Sequence, residues 1–170
     1  MKQRTLPDFL APGLDIISIG INPSLYSVER GFYFARPGNR FWPALNASGL
    51  VSPPLEPSRR AIERLFREYR IGFTDLVKRA TARASELSAE DYARGARVLQ
   101  AKLVRYGPEI AWFHGVSAYR LFLAHTGLPR KTIAAGLQSE RIGPSRIFVT
   151  PNPSGANPSA NPKQIVPLYR

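Results

Sequence analysis

The sequence predicts an α/β fold, a three-layer sandwich in which a central, mostly parallel β-sheet is flanked by helices. Short apolar runs rich in β-branched residues predict buried strands over Asp15–Ile21, Glu109–Phe113 and Arg146–Thr150. Helical patterns separate these runs, and strands alternating with helices form βαβ units and a parallel sheet. A length of 170 residues suits one domain. We therefore predict a single domain over residues 1–170.

The first half of the chain adds two helices and a strand to this scheme. A short helix over Asn39–Ser48 is followed by Gly49, a typical stop signal. An amphipathic helix is predicted over Pro57–Tyr69, because its apolar residues share one face. A short strand or turn follows over Ile71–Asp75.

Two more helices are predicted in the second half. The longer covers Ser88–Tyr106, where Asp91 at the third helical position completes a pattern like a capping box. The shorter covers Val116–Thr126 and should end at Gly127. Near the C-terminus, Pro167 should interrupt any final helix.

Composition narrows the classes of function. The 24 Lys and Arg residues exceed the 12 Asp and Glu, and a net charge of +12 favours a polyanionic partner such as nucleic acid. Cysteine is absent, which excludes disulfides, thiolate zinc sites and cysteine-ligated iron–sulfur clusters. The two histidines lack ligand-spaced partners, so we expect no metal and no cofactor. No apolar stretch reaches the roughly 20 residues that span a bilayer, and the N-terminus lacks an apolar signal region, so we expect a cytoplasmic protein.

The tripeptide Asn-Pro-Ser ends two of the apolar runs, at Asn22-Pro23-Ser24 and at Asn152-Pro153-Ser154. Ligands of open parallel sheets bind beyond the carboxyl ends of the strands, so these turns should form two walls of one site. Proline holds the preceding Asn22 extended. The Asn22 carboxamide can orient a water or bind a base edge but cannot act as a strong general base. The alternative is an ordinary Asn-Pro turn.

Aromatic residues alternate with arginines and glycines over residues 30–42. Aromatic faces stack on bases and arginines contact phosphates, so the pattern favours a nucleic-acid contact. We assign Phe41 and Trp42 to the core at the start of a helix. Phe32 and Phe34 lie outside predicted regular structure, between two arginines, and are better candidates for stacking.

Together these segments resemble the mismatch-specific uracil-DNA glycosylase family, the bacterial relatives of thymine-DNA glycosylase, within the uracil-DNA glycosylase superfamily. Ordered motifs spread over nearly the whole chain are a far more specific signal than any one of them. The matching segments are Leu10-Ala11-Pro12-Gly13-Leu14, Gly20-Ile21-Asn22-Pro23, Gly31-Phe32 with Phe34-Ala35, Asn39-Arg40-Phe41-Trp42, Gly72-Phe73-Thr74-Asp75-Leu76-Val77, Glu86-Leu87-Ser88 and Pro151-Asn152-Pro153-Ser154-Gly155.

The resemblance implies a uracil-glycosylase fold and a monofunctional hydrolase that removes uracil from G·U mispairs in double-stranded DNA, working as a monomer. Asn22 would position the attacking water, and Asp91 is a second catalytic candidate because the resemblance suggests an acidic residue there. The predicted site residues fall into two further groups. Those expected to contact the extruded base are Gly20, Ile21, Pro23, Ser24, Phe34 and Asn152, with Phe34 stacking on it. Those expected to contact the duplex are Arg36, Asn39, Ser154, Gly155, Ala156 and Asn157.

Two positions depart from the family pattern. Ser24 stands where glycine is frequent, and its side chain would crowd the methyl group of thymine and favour uracil. Ala156 is small where a bulkier apolar wedge is usual, so plugging of the duplex would depend on Asn157 or Pro158. Asp75 could supply a carboxylate to the site if it faces the pocket, but a strand-end turn is the favoured explanation.

The sequence is compatible with two other functions. A non-catalytic nucleic-acid-binding module on the same scaffold would bind DNA in a salt-dependent manner without releasing a base. A nucleoside or nucleotide hydrolase of similar topology would act on free nucleosides, although the net charge of +12 argues against it.

Overall fold

The computed structural model describes residues 5–128 and 132–170. Residues 1–4, on which part of the N-terminal signal argument rests, lie outside the described residues. In chain order the elements are β1 (Ile16–Gly20), α1 (Leu25–Arg30), α2 (Phe41–Ser48), α3 (Arg59–Arg67), β2 (Ile71–Asp75), α4 (Ala89–Tyr106), β3 (Ile110–His114), α5 (Val116–Leu123), β4 (Gly136–Ile142), β5 (Ser145–Thr150) and α6 (Pro162–Tyr169).

The five strands form one sheet in the order β2-β1-β3-β5-β4. β1 pairs in parallel with β2 and β3, β3 pairs in parallel with β5, and β4 runs antiparallel to β5 at the edge. Parallel strands end at the same side of a sheet, so the segments that follow β1, β2, β3 and β5 meet there. The predicted mostly parallel sheet is confirmed.

Helices cover both faces of the sheet, each over its own apolar cluster. On one face α4 and α5 pack on β1, β3 and β5, with Leu99, Leu103 and Phe122 buried there. On the other face α2, α3 and α6 cover aromatic residues that include Phe41, which is fully buried. The predicted three-layer sandwich is therefore present. Among the described residues, no helix combines the length and apolar character needed to cross a membrane.

Two elements besides the final helix were not predicted from the sequence. Helix α1 directly follows the first rim turn, where the Ser24 hydroxyl accepts a hydrogen bond from the Ser27 N–H and Gly31 ends the helix with φ of 78°. These are ordinary start and stop signals, so α1 was predictable. Strand β4 alternates exposed and half-buried residues along most of its length, which gives it a weak apolar signal.

The prediction that Pro167 interrupts a final helix is wrong. Helix α6 includes Pro167 in its last turn, after an N-cap at Asn161 and a favourable proline at its first position. Ile165 and Tyr169 are buried, and the Tyr169 ring packs edge-on against Trp112 with centroids 4.6 Å apart. This burial compensates for the one hydrogen bond that proline removes.

Candidate functional site

A cavity of about 350 Å³ opens at the carboxyl ends of the parallel strands, between the first rim turn and the loop after β5. Eleven of the fourteen residues proposed from the sequence line it, so the two Asn-Pro-Ser turns do form two walls of one pocket. These eleven are Gly20, Ile21, Asn22, Pro23, Ser24, Phe34, Arg36, Asn39, Asn152, Ser154 and Ala156.

Asn22 is held in one orientation by hydrogen bonds from its amide nitrogen. Nδ2 donates to the Arg79 carbonyl at 2.9 Å and to Thr81 Oγ1 at 2.8 Å. The Thr81 hydroxyl donates onward to the Arg83 carbonyl at 2.8 Å, so its oxygen must accept from Asn22. With Nδ2 occupied by these acceptors, Oδ1 is the atom left to accept a hydrogen bond from a water or ligand.

Phe34 has a fixed ring and an unusual backbone conformation. Its φ is 57°, the left-handed region that is rare for residues other than glycine. One face of its ring stacks on Phe41 at a centroid distance of 4.0 Å, and Trp42 Nε1 donates to its carbonyl at 3.2 Å. The half-buried ring lines the cavity, where it offers an aromatic surface to a flat ligand.

Ser24 and Asn39 line the cavity, and each also accepts a hydrogen bond from the first turn of a neighbouring helix. Ser24 Oγ accepts from the Ser27 N–H at 3.1 Å. Asn39 Oδ1 accepts from the Phe41 N–H at 2.9 Å; Arg40 is the N-cap of α2, which begins two residues later than predicted. Each side chain therefore has a structural role in addition to its position in the lining.

The loop after β5 is stiffened by its own asparagines. Asn152 Oδ1 accepts from the Ser154 N–H at 3.0 Å, and Asn157 Nδ2 donates to the Asn152 carbonyl at 2.8 Å. Arg40, the residue before α2, donates to the Asn157 carbonyl at 2.6 Å. Gly155 and Asn157 do not line the main cavity; Gly155 is exposed on this loop, and Asn157 borders an adjoining depression.

Asp91 lies outside the cavity lining. Its Oδ2 accepts from the Ser88 N–H at 2.9 Å in the capping box of α4, and it pairs with Arg79 Nη2 at 2.7 Å. The Arg79 guanidinium and the Ser88 N–H hold the pKa of this carboxyl well below its usual range. This position does not support the predicted catalytic role and favours the helix-capping interpretation, although Asp91 fixes the side chain of Arg79, whose carbonyl binds Asn22.

Asp75 is the carboxyl group that the cavity lining contains. It ends β2 directly opposite Gly20, and a Cβ at position 20 would lie 2.8 Å from Asp75 Oδ1, so any larger residue there would displace the carboxyl. Burial raises the pKa of Asp75 to about 6, although Lys78, 3.3 Å from Oδ2, acts in the opposite direction. Sequence reasoning weighed Asp75 but favoured a strand-end turn.

His114 is a second lining residue that the sequence argument did not place in the site. It ends β3, and its Nε2 lies 2.8 Å from Ser18 Oγ, while its buried Nδ1 has no hydrogen-bond partner among the described residues. Burial lowers the pKa of the imidazole to about 3, so the ring is neutral. The rule that led to Asn22, a polar residue at the carboxyl end of a strand, applies equally to His114 and Asp75.

Within the described ranges, no group of three or more His, Cys, Asp or Glu side chains is arranged to hold a metal ion. The lining combines an oriented amide, one carboxyl, a neutral imidazole and an aromatic face. Arg36 is exposed at the cavity, and the chain has a net charge of +12.

The fold and the cavity define an α/β protein with a pocket for a flat polar ligand at the carboxyl end of its sheet. Residues 7–169 match the model of the Uracil DNA glycosylase superfamily. The chain belongs to this superfamily, which places it among DNA glycosylases, hydrolases of DNA repair. Its fold is similar to the solution structure of a putative uracil DNA glycosylase from Methanosarcina acetivorans, with 20% sequence identity, a TM-score of 0.62 and coverage of 99% of this chain and 96% of that one.

Proposed function

We propose that this protein is a mismatch-specific glycosylase that hydrolyses the N-glycosidic bond of uracil in G·U mispairs and leaves an abasic site. The observation that supports this most directly is the orientation of Asn22. Its amide nitrogen is occupied by Arg79 and Thr81, so Oδ1 is left to accept a hydrogen bond from a water in the cavity.

The substrate base must leave the duplex before it can enter such a cavity. Extrusion costs about a few kcal/mol and is easiest for a mispaired base. In this proposal the extruded uracil stacks on the free face of Phe34 and passes over the bare backbone of Gly20. The exposed Arg36 and the loop that contains Ala156, Gly155 and Asn157 contact the duplex from which the base was taken.

The chemical step forms one bond and breaks one. The oxygen of the water held by Asn22 bonds to the anomeric carbon, and the bond from that carbon to N1 of uracil breaks. Uracil leaves with the bonding electron pair and is protonated, while the water loses a proton. Asn22 is a weak base, so positioning rather than proton abstraction is its contribution. Above its pKa of about 6, Asp75 supplies a carboxylate that stabilises positive charge developing on the sugar.

Base release is the direct test of this function. Matched oligonucleotides containing G·U, A·U, G·T or single-stranded U would be incubated with the protein and then cleaved with alkali. We expect release from G·U and little from G·T. Asn22→Ala should slow release by at least about a hundredfold and leave DNA binding nearly unchanged, because it removes the group that orients the water.

Two results would contradict the proposal. Salt-dependent DNA binding without release from any substrate would favour a non-catalytic binding module. Release from free nucleosides would favour a nucleoside hydrolase. Action as a monomer in the cytoplasm is part of the same proposal, and sedimentation and cell fractionation would test it.

A further inference from the structure

The carboxyl group of Asp75 shares a lysine with a second carboxylate behind the cavity. Lys78 Nζ lies 2.8 Å from Asp8 Oδ1 and 3.3 Å from Asp75 Oδ2. The same ammonium group donates to the Tyr33 hydroxyl at 3.1 Å. An ammonium has three donors, so each of these neighbours can take one, and the closest pair is with Asp8.

Asp8 is itself held firmly in place. Lys102 of α4 lies 2.6 Å from its Oδ2, and Thr74 of β2 donates to its Oδ1 at 2.8 Å. The neighbouring residue, Phe9, exchanges two backbone hydrogen bonds with Phe73, at 2.9 Å and 3.0 Å. The segment before β1 is therefore fastened to β2, and it carries a carboxylate to the back of the cavity.

We propose that Asp8 is a positioning residue that shares Lys78 with Asp75, so that the carboxyl of Asp75 is only partly paired and stays available to contact the substrate. If Asp8 were neutral, Lys78 would have one carboxylate partner instead of two and would move fully onto Asp75. The role in substrate contact rests on the proposed glycosylase function, whereas the division of Lys78 between the two carboxylates does not.

The charges around Asp75 predict the direction in which each variant should shift the pKa of its carboxyl. Lys78 and the Tyr33 hydroxyl are next to the carboxyl of Asp75, and Asp8 and Lys102 follow as the next charged groups. Burial is the largest influence and raises the pKa of Asp75; the two lysines lower it and Asp8 raises it. Asp8→Asn, which keeps the shape, should therefore lower this pKa. Lys102→Met removes a cation and frees Asp8 to bind Lys78, so it should raise the pKa.

Carbon-detected NMR titration of the Asp75 carboxyl in the full chain would measure both effects. For Asp8→Asn we expect the midpoint to fall by about one pH unit, a tenfold change in proton affinity. For Lys102→Met we expect a rise, and Asp8→Glu should stay near wild type. In base-release assays the acidic limb of the pH profile should move in the same direction as each midpoint.

A merely structural role for Asp8 would lower the thermal stability of the variants without moving the midpoints in opposite directions. Unchanged midpoints, or shifts of the same sign, would overturn the proposal. If Asp8→Asn does not fold, the Lys102→Met variant tests the proposal by itself, because an unchanged or lower midpoint there contradicts the division of Lys78.

The titration can be carried out whether or not the protein releases a base. If the midpoints shift in opposite directions but the protein releases no base, the glycosylase function and the substrate contact are refuted, while the division of Lys78 stands. If the protein releases base but the midpoints do not shift, only this inference is refuted.

Discussion

The amide nitrogen of Asn22 donates to the hydroxyl oxygen of Thr81 at 2.8 Å, and this contact joins the first rim turn to the segment after β2. Thr81 is buried, and its own hydroxyl proton is directed to the Arg83 carbonyl. Two segments far apart in sequence thus determine which end of the Asn22 amide faces the cavity.

Replacing Thr81 by valine should reduce base release about threefold to tenfold, the effect of losing one neutral hydrogen bond of about 0.5–1.5 kcal/mol. Valine keeps the shape of threonine but cannot accept a hydrogen bond from the Asn22 amide. The amide then loses one of the partners that orient it and keeps the Arg79 carbonyl. Single-turnover release from G·U DNA would measure this. Thr81→Ser restores the acceptor and should recover most of the rate; equal losses in both variants would contradict the role of the hydroxyl.

Ser24→Gly should increase release from G·T relative to G·U by about tenfold or more, because one methyl group in a tight pocket is worth about 1–3 kcal/mol. Ser24 lines the cavity, and its hydroxyl also caps α1. Glycine at an N-cap costs only a few tenths of a kcal/mol, so the fold should tolerate the change.

Ser24→Thr is the matched control, since it keeps the capping hydroxyl and adds a methyl group. It should lower the G·T to G·U ratio further. A ratio that does not change in either variant would show that Ser24 does not restrict the base.

Gly155→Ala should weaken DNA binding while leaving the global stability nearly unchanged. A Cβ at position 155 would lie 2.8 Å from the Gly38 carbonyl oxygen, so one of the two loops must move. Gly38 and Gly155 are both exposed, and neither belongs to the two apolar clusters. Fluorescence anisotropy with a labelled duplex would measure the loss. Ser159→Thr, which adds bulk at an exposed position of the same loop, should bind normally, and wild-type affinity in Gly155→Ala would contradict a role for this close approach.

His114 should make the folded state sensitive to acid. Its pKa is about 3 in the folded protein and about 6.5 in an unfolded chain, so the unfolded state binds more protons between these values. The unfolding free energy should therefore fall as the pH decreases from about 6.5 towards 3, by at most about 1.4 kcal/mol per pH unit from this group. Urea unfolding of wild type and His114→Gln across this range should show a smaller acid loss in the variant. Equal pH dependence of the unfolding free energy in the two proteins would contradict this role of His114.

Asp75 should have the opposite effect on stability. Its pKa is raised from 3.8 to about 6, so the folded state binds more protons between these values and loses stability as the pH rises through them. The unfolding free energy of Asp75→Asn minus that of wild type should therefore be more favourable to the variant at pH 8 than at pH 4. Unfolding free energies at the two pH values would measure this, and a variant less favoured at pH 8 would mean that Lys78 outweighs burial.

Local patterns were sufficient for most of the fold. Strand β2 has the predicted bounds, β1 and β3 differ from the prediction by one residue at each end, and the Ser88 capping box is present. Helix α5 ends at Leu123, three residues before its predicted end and before the expected stop at Gly127. Helix α6 contradicts the local rule for Pro167, because packing of Tyr169 against Trp112 is a tertiary contribution.

Neighbours along the chain are enough to predict the class of the sheet, the two Asn-Pro-Ser turns as walls of one site and Asn22 as a candidate site residue. Tertiary structure alone decided which carboxyl group enters the cavity: Asp75 does so beside Gly20, and Asp91 remains in a helix cap. It also placed His114 in the lining and directed the Asn22 amide through Thr81. Burial, charge sharing and hydrogen-bond partners depend on residues distant in sequence, and these contacts exist only once the sheet has brought the strand ends together.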